Sequence, residues 1–218
     1  MSSTITPPSG VAARFGSGKN VRRIEDPALL TGQGRYTDDQ RPVGLVHLAF
    51  VRSSYAHARL LSVDTSAALA APGVLAVYTG EFLQQAGVKP MATTVPFRRP
   101  DGSPAAVVPR PVLAVGTVRF VGDMIAAVVA ESREAAEAAA ELVLVDYDAL
   151  PAVADARSAL APDAVAISAM AADNICAQMS HGSVDATAAA FERAAHVVKL
   201  DLVNQRLAPS AMEPRVVL

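Results

Sequence analysis

The sequence predicts a fold of mixed strands and helices, organised around residues 116–151. Within this stretch, Thr117–Val121 is rich in β-branched and aromatic residues, which predicts a strand, and Gly122 and Asp123 form a common turn signal. Ile125–Ala130 follows as a nearly continuous apolar run, typical of a strand that is covered on both faces. We expect the strands earlier in the chain to complete the sheet to which this stretch belongs.

A helix is predicted directly after this apolar strand. Ser132 is suited to cap it, because the hydroxyl can accept a hydrogen bond from a free amide of the first turn. Glu134 favours the same end through the helix dipole, and the Ala- and Glu-rich residues that follow have high helix propensity. Leu142–Val145 begins another strand, so we expect the helix to pack on the two strands that flank it. Its exposed carboxylates are interpreted as a solvated face.

The N-terminal part contains two candidate signals. Residues 1–20 are small and polar, with several prolines and glycines, and we interpret them as a mobile arm. Gly16–Lys19 resembles part of a phosphate-binding loop, but Ala13 and Asn20 break the full pattern. Further on, Asp26 and Pro27 predict a helix start with Asp26 as the cap.

The chain up to residue 86 predicts short elements separated by turns. Gly32 and Gly34 end the first helical turn, and Asp38 and Asp39 begin another. Thr65 is predicted to cap a short alanine helix that stops at Pro72 and Gly73. The remaining elements of this region are three strands and a further helical turn, at Gly44–Val51, Arg59–Val63, Val74–Thr79 and Glu81–Ala86.

Residues 88–111 predict a long surface loop that is rich in proline. Arg98, Arg99 and Arg110 lie in this loop, where they either remain solvated or contact an anion or a partner subunit. After residue 151, an alanine- and proline-rich stretch predicts an extended linker, which we place at residues 153–182. Asp185 is expected to cap a short helix through Arg193, and Val197–Asn204 predicts a strand. The strand-like end of the sequence at Leu218 suggests a truncated chain.

Composition limits the class of protein. The 218 residues carry a net charge of −2, which gives no electrostatic argument for binding nucleic acid or an acidic membrane. No apolar run reaches the roughly 18 residues that span a bilayer, and the N-terminus lacks the pattern of a signal peptide, so a cytoplasmic location is expected. Cys176 is the only cysteine, which excludes an intrachain disulfide and an all-cysteine iron–sulfur cluster. We expect Cys176 to be buried or half-buried.

Few residues are candidates for chemistry. None of the four histidines, His47, His57, His181 and His196, has the spacing that places two ligands on one helix face. His47 is interpreted as a core or edge residue, whereas His57 and His181 lie in loops and could contact a ligand. Asp38 and Asp39 could bind a cation or remain solvated, and Glu213 is a suggestive carboxylate without an assignable role. The residues alone therefore predict no catalytic, cofactor-binding or metal-binding residue.

Four blocks of sequence, in this order, resemble a known family: VRRIEDPALLTGQGRYTDD, GLVHLAFVRSSYAHARL, VRFVGDMIAAVVAESREAAEAAAELVLVDYDALPAV and NQRLAPSAMEPRVVL. They are similar to the start of the molybdopterin-binding large subunit of xanthine dehydrogenases, aldehyde oxidases and carbon monoxide dehydrogenases. The resemblance implies an α+β fold: an α/β hammerhead domain with a mixed sheet and a few helices, then a linker and the truncated first strand of a molybdenum-binding domain. Met124 departs from the family, in which proline often follows this Gly-Asp turn.

The resemblance implies a molybdenum hydroxylase, which places water-derived oxygen on a carbon centre. Its electrons would pass to [2Fe–2S] and FAD groups on partner chains, with the molybdopterin-type cofactor held by the remaining domains of the subunit. The implied domains are residues 1–20, the arm; 21–152, the hammerhead; 153–182, the linker; and 183–218, the truncated start of the molybdopterin-binding domain. The isolated chain is then expected to be inactive.

Two other hypotheses stay open at this point. The first is a non-catalytic protein-interaction module that uses the hammerhead fold, with Arg98, Arg99 and the proline-rich loop as its contact. The second is a degenerate product of low solubility, since an unpaired apolar strand at Val216–Leu218 would expose an edge. The substrate is not predicted, because a purine, an aldehyde, an N-heterocycle and carbon monoxide are distinguished by residues outside this sequence.

Overall fold

The computed structural model describes residues 23–91, 94–204, 207, 210–211 and 215–217. The chain divides into two units, one formed by the residues up to Val43 and from Val203 onward, the other by Gly44–Leu202. The described part of the first unit contains a short helix, α1 (Asp26–Leu30), and a 3-10 turn at Thr37–Asp39. The predicted arm with Gly16–Lys19, and also Glu213, lie outside the described residues.

The described residues of the second unit form two three-stranded sheets. The first sheet has the order β1 (His47–Arg52), β5 (Met124–Ala130), β3 (Val74–Thr79). The second has the order β4 (Thr117–Val118), β2 (Ala58–Asp64), β6 (Leu144–Ala149). Every pairing of these strands is antiparallel. The expected mixture of strands and helices is confirmed, but the single mixed sheet is wrong, because β2 pairs with β4 and β6 rather than with β1, β3 or β5.

The described part of this unit contains four α-helices, α2 (Ser66–Leu69), α3 (Gly80–Gln85), α4 (Arg133–Glu141) and α5 (Val184–Glu192), and a 3-10 turn at Ser158–Leu160. Helix α4 packs mainly on β1 and β5, and α2 packs against α4 and β3. The strands that flank α4 in sequence, β5 and β6, lie in different sheets; α4 packs on β5, and Val145 of β6 packs against the edge of the same hydrophobic cluster. Val128 of β5 and Ala139 of α4 are fully or almost fully buried in the cluster that joins them.

The predicted N-cap residues of the helices are confirmed only in part. Ser132 caps α4 as predicted, with its Oγ accepting from the amide of Ala135 at 3.1 Å. Asp26 lies inside the first turn of α1 and makes no cap bond, and Thr65 precedes α2 without a side-chain cap bond. At α5 the cap is Ser183, whose Oγ accepts from Ala186 N at 3.2 Å, rather than Asp185, which lies in the first turn.

The predicted strand at Val197–Asn204 does not form. These residues have no strand assignment, and their large apolar side chains are exposed, with Val198 91% and Leu202 81% accessible. A strand needs a neighbour to satisfy its amides and carbonyls, and an alternating sequence does not supply one. The strand predicted from Thr117 is also shorter, since it ends at Val118 before the turn in which Gly122 has a φ of +89°.

Candidate functional site

The candidate histidines do not converge. His47 is half-buried in β1 as expected, and His181 and His196 are exposed. His57 is 7% exposed, and its Nδ1 lies 2.7 Å from the carbonyl oxygen of Pro151. A carbonyl can only accept, so Nδ1 carries the proton and donates it. Across the described residues, no group of three or more His, Cys, Asp or Glu side chains could hold a metal ion.

A second polar group is formed by Ser53, Tyr55 and Tyr147. Ser53 and Tyr55 precede His57 by a few residues in the sequence, and the ring of Tyr147 contacts that of Tyr55. The hydroxyl of buried Ser53 donates to the carbonyl of Tyr55 at 2.9 Å and accepts from its amide at 3.0 Å. The rings of Tyr55 and Tyr147 lie 4.8 Å apart, and burial raises the pKa of the Tyr147 phenol. Because Ser53 and His57 use their hydrogen-bonding atoms on backbone groups, we interpret these residues as stabilising the fold rather than binding a ligand.

Arg99 is the most heavily engaged side chain of the predicted loop. Its Nη2 donates to both carboxylate oxygens of Asp173 at 2.9 Å, and its Nη1 donates to the carbonyl of Ile175. The side chain is only 18% exposed. The hydrogen bonds from Arg99 hold the pKa of Asp173 below its ordinary value, and the same pairing raises the pKa of Arg99. Arg99 is therefore committed to a contact within the chain.

The other two arginines of the loop make separate contacts, through the side chain of Arg98 and the backbone of Arg110. Arg98 donates from Nη1 to the carbonyl of Gly102 at 3.0 Å, which closes a turn. Its backbone bridges to Gln178, and the carbonyl of Arg110 accepts from the amide of Met91 at 2.9 Å. At several of its described residues the loop at 88–111 is thus attached to its own backbone and to residues 173–178, rather than being only a solvated excursion.

Asn174 organises the segment after the loop and was missed in the sequence. It adopts a φ of +59°, and its Oδ1 accepts from the amide of Ile167 at 3.0 Å. Its Nδ2 donates to the carbonyls of Ala159 at 3.1 Å and Val165 at 3.0 Å. The available signal is the residue type, since asparagine tolerates the left-handed region and bonds readily to nearby backbone. This side chain gathers residues 159–174 within the predicted linker range.

Two further candidates also have internal or surface positions. Asp39 accepts from the amide of Tyr36 at 2.9 Å, so it closes the 3-10 turn of the first unit. Cys176 is exposed, which makes the expected burial wrong. Its backbone carbonyl accepts from Ala106 N at 2.9 Å, and this pairing fixes the main chain without burying the thiol.

None of the helices in the described residues is long and apolar enough to cross a membrane.

A cavity of about 420 Å³ lies between α3 and residues 108–115 and 168–170. Its lining is mostly aliphatic, with Gln84, Arg119 and Ser168 as the polar exceptions. The Oγ of Ser168 lies 3.3 Å from the amide of Met170. The lining contains no histidine, cysteine or carboxylate to act as a base or nucleophile. Its chemistry suits contact with apolar groups rather than catalysis.

Comparison with known proteins gives a consistent result. Residues 31–151 match the family described as "Aldehyde oxidase and xanthine dehydrogenase, a/b hammerhead domain". The chain is 40% identical over 202 residues to the nicotine 6-hydroxylase large subunit of Paenarthrobacter nicotinovorans, a match that covers 91% of this chain and 23% of that protein. It is 36% identical over 224 residues to the carbon monoxide dehydrogenase large chain of Afipia carboxidovorans, covering 96% and 26%.

Solved structures agree with these relatives. The Cu,Mo-CO dehydrogenase structure has a TM-score of 0.62 and 33% identity, covering 81% of this chain and 22% of the other. Quinoline 2-oxidoreductase from Pseudomonas putida 86 has a TM-score of 0.57 and 41% identity, covering 66% and 18%. The chain thus spans about a quarter of the length of the curated relatives it matches.

Proposed function

The chain belongs to the aldehyde oxidase and xanthine dehydrogenase family and contains its hammerhead domain, and on that premise we propose that it is the N-terminal portion of a molybdenum hydroxylase large subunit. Such an enzyme hydroxylates a carbon centre with oxygen derived from water. The observation that carries the proposal is the relatedness to oxidoreductase large subunits along almost the whole chain, at 40% identity over 91% of its residues. Another relative, 35% identical over 150 residues, is the molybdenum-binding subunit of a xanthine dehydrogenase.

Within such a subunit, this chain acts as scaffold. Its described residues do not fit a metal centre, since no three of their His, Cys, Asp or Glu side chains are grouped so that they could bind a metal ion. Arg99 and His57, which could have met an anion or ligand, are held by Asp173 and Pro151. We therefore assign no catalytic or cofactor-binding residue to this chain. The molybdenum cofactor belongs to the remaining domains, with [2Fe–2S] and FAD on partner chains or domains.

The domain boundaries and location are part of the same proposal. Residues 21–152 form the hammerhead domain, 153–182 the linker, and 183–218 the start of the molybdopterin-binding domain. The family match over residues 31–151 supports the first of these ranges. We also propose a cytoplasmic location, on the basis of the N-terminal sequence pattern and the short apolar runs described above. The alternative, an interaction module whose contact is Arg98 and Arg99, loses support because Arg99 is already paired with Asp173.

Co-expression tests the proposal. The chain would be produced alone and together with a second chain carrying the part of the nicotine 6-hydroxylase large subunit that lies outside the match. We expect the two chains to co-purify and to retain molybdenum, measured by elemental analysis, while the isolated 218-residue chain retains none and hydroxylates nothing. The second chain alone is the control. Turnover by the homogeneous 218-residue chain, or failure of the two chains to associate, would contradict the proposal.

A further inference from the structure

The sheet β1-β5-β3 has one covered and one open face. Val51 packs into the cluster with Ala139 and Val143. The pKa of Glu134, in the first turn of α4, is lowered by hydrogen bonds from its own amide and from Ser132, and also by the charge of His47. These contacts place the odd-numbered residues of β1 on the side of α4. Because side chains alternate along a strand, Leu48 and Phe50 lie on the opposite face.

The register extends this opposite face across the sheet. Leu48 pairs with Val129, which pairs with Ala76, and Phe50 pairs with Ala127, which pairs with Tyr78. Tyr78 contacts Phe82 of α3, with ring centroids 5.4 Å apart. We call this surface the open sheet face and define it by its six partly or largely accessible side chains: Leu48, Phe50, Ala76, Tyr78, Phe82 and Val129.

The open sheet face is apolar yet accessible to solvent. Leu48 is 54% exposed and Phe82 is 51% exposed. Its border charge, Arg52, lies with its guanidinium 5.5 Å from the ring centre of Phe50 and donates to the carbonyl of Gly122 at 2.9 Å. Contiguous exposed apolar patches on soluble proteins mark interaction sites. An apolar surface whose bordering cation is internally satisfied fits a permanent interface better than a transient one.

The central strand, β5, is less completely covered than its sequence predicts. The run Ile125–Ala130 is apolar at every position, a pattern typical of strands covered on both faces. Helix α4 covers one face, on which Val128 is fully buried. On the other face, Ala127 is only 7% exposed between its partners Phe50 and Tyr78, whereas Val129 remains partly exposed. The sequence of β5 therefore calls for a second cover over the open sheet face.

We infer that the open sheet face is the surface on which the molybdenum-binding remainder of the same large subunit docks. This inference rests on the proposed function. The identity of the docking partner follows from the length of the relatives, because the matched proteins are about four times as long as this chain. A remainder of that size, joined to this chain in one subunit, is held beside it at high effective concentration, which favours burial of an accessible apolar face between them. The open sheet face offers such an interface without a buried, unpaired charge.

A matched pair of substitutions tests the inference in the two-chain co-expression system. Leu48→Asp places a charge on the outer strand β1 of the open sheet face, and Leu61→Asp places one on β2 at a similarly exposed position, 59% accessible. We expect Leu48→Asp to reduce the amount of co-purified remainder by about tenfold or more, because burying an unpaired carboxylate opposes docking. Leu61→Asp should leave it unchanged. Circular dichroism of each isolated variant checks the fold.

Footprinting of the unaltered chain gives an independent readout. Hydroxyl-radical labelling of Phe50, Tyr78 and Phe82 should fall when the remainder is bound. A complex that forms with unchanged labelling, or that tolerates Leu48→Asp as well as Leu61→Asp, overturns the docking face and leaves the proposed function standing. Absence of any complex with the unaltered chain overturns both. Protection of the same rings in a homodimer of the isolated chain assigns the face to a second copy and also overturns the inference.

Discussion

Gly80 shows how a single residue can be fixed by backbone proximity. It is the first residue of α3 and is buried. A Cβ added there would lie 2.2 Å from the carbonyl oxygen of Ala114 and 2.8 Å from that of Leu113. Both are backbone atoms, so neither can rotate away as a side chain could. The close approach of α3 to residues 113–114 therefore requires glycine.

We predict that Gly80→Ala lowers the free energy of unfolding by about 2 kcal/mol, the cost typical of overpacking. Helix propensity alone predicts the opposite sign, a gain of about 1 kcal/mol for alanine. Gly34→Ala is the control, because its nearest neighbour is the end of the flexible Leu29 side chain at 2.7 Å, which can move aside. Urea denaturation of both variants measures the difference. A stabilised Gly80→Ala variant would show that the backbone contact is not as described.

At the scale of elements, two helix starts differ in a way that sequence alone does not reveal. Ser132 and Thr65 are both of the residue types that favour the N-cap position, and both precede alanine-rich helices. Only Ser132 makes the cap bond, to Ala135. At α2, the amide of Ser66 is instead satisfied by Oδ1 of Asp64 at 2.9 Å. The cap of α2 is thus provided one residue earlier than expected.

This difference predicts unequal effects of the same truncation. Ser132→Ala should lower the free energy of unfolding by about 1 kcal/mol, since the amide of Ala135 loses its acceptor. Thr65→Ala should change it by less than about 0.5 kcal/mol, as for an ordinary surface substitution. Thermal or urea unfolding of the two variants, with Asp64→Ala as a third, checks the ranking. Equal losses for Ser132→Ala and Thr65→Ala would contradict the assigned caps.

Across the molecule, four aspartates share a lowered pKa because they accept hydrogen bonds in the folded chain. Asp173 accepts from Arg99, and the other three accept mainly from serines: Asp64 from Ser66, Asp101 from Ser103 and Asp155 from Ser158. A carboxyl whose folded pKa lies below its ordinary value binds protons more weakly when folded than when unfolded. Its stabilising contribution is present above the ordinary pKa of 3.8 and is lost as pH falls through the lower, folded value.

The Arg99–Asp173 pair allows this pH dependence to be measured. Asp173→Asn should be less stable than the unaltered chain at pH 7. The gap should begin to close below pH 3.8, where the carboxyl of the unfolded chain binds a proton, and should be gone once pH has fallen through the lower pKa of the folded chain. A double-mutant cycle with Arg99→Gln should give a coupling energy at pH 7 that vanishes at low pH. Urea midpoints across the pH range provide the data. A gap that stays constant with pH would exclude the ion pair as its cause.

Local features of the fold were predictable from the sequence. The strand Val74–Thr79, the apolar strand β5 and the cap at Ser132 all depend on residues within a few positions of one another. Periodicity and cap chemistry report such contacts directly. The order of the four sequence blocks was also sufficient to identify the family, which the match over residues 31–151 confirms.

The tertiary structure alone decided which distant parts meet. It separated β5 and β6 into two sheets, left Val197–Asn204 without a partner strand, and joined Arg99 to Asp173, 74 residues away. Strand pairing and long-range ion pairs depend on the arrangement of the whole chain, and one sequence carries no record of that arrangement in its local pattern. The sequence by itself determined the local elements, the family and the lack of a recognisable catalytic motif. Packing decided the sheets, the role of Arg99 and the open sheet face, because these depend on which surfaces remain uncovered after folding.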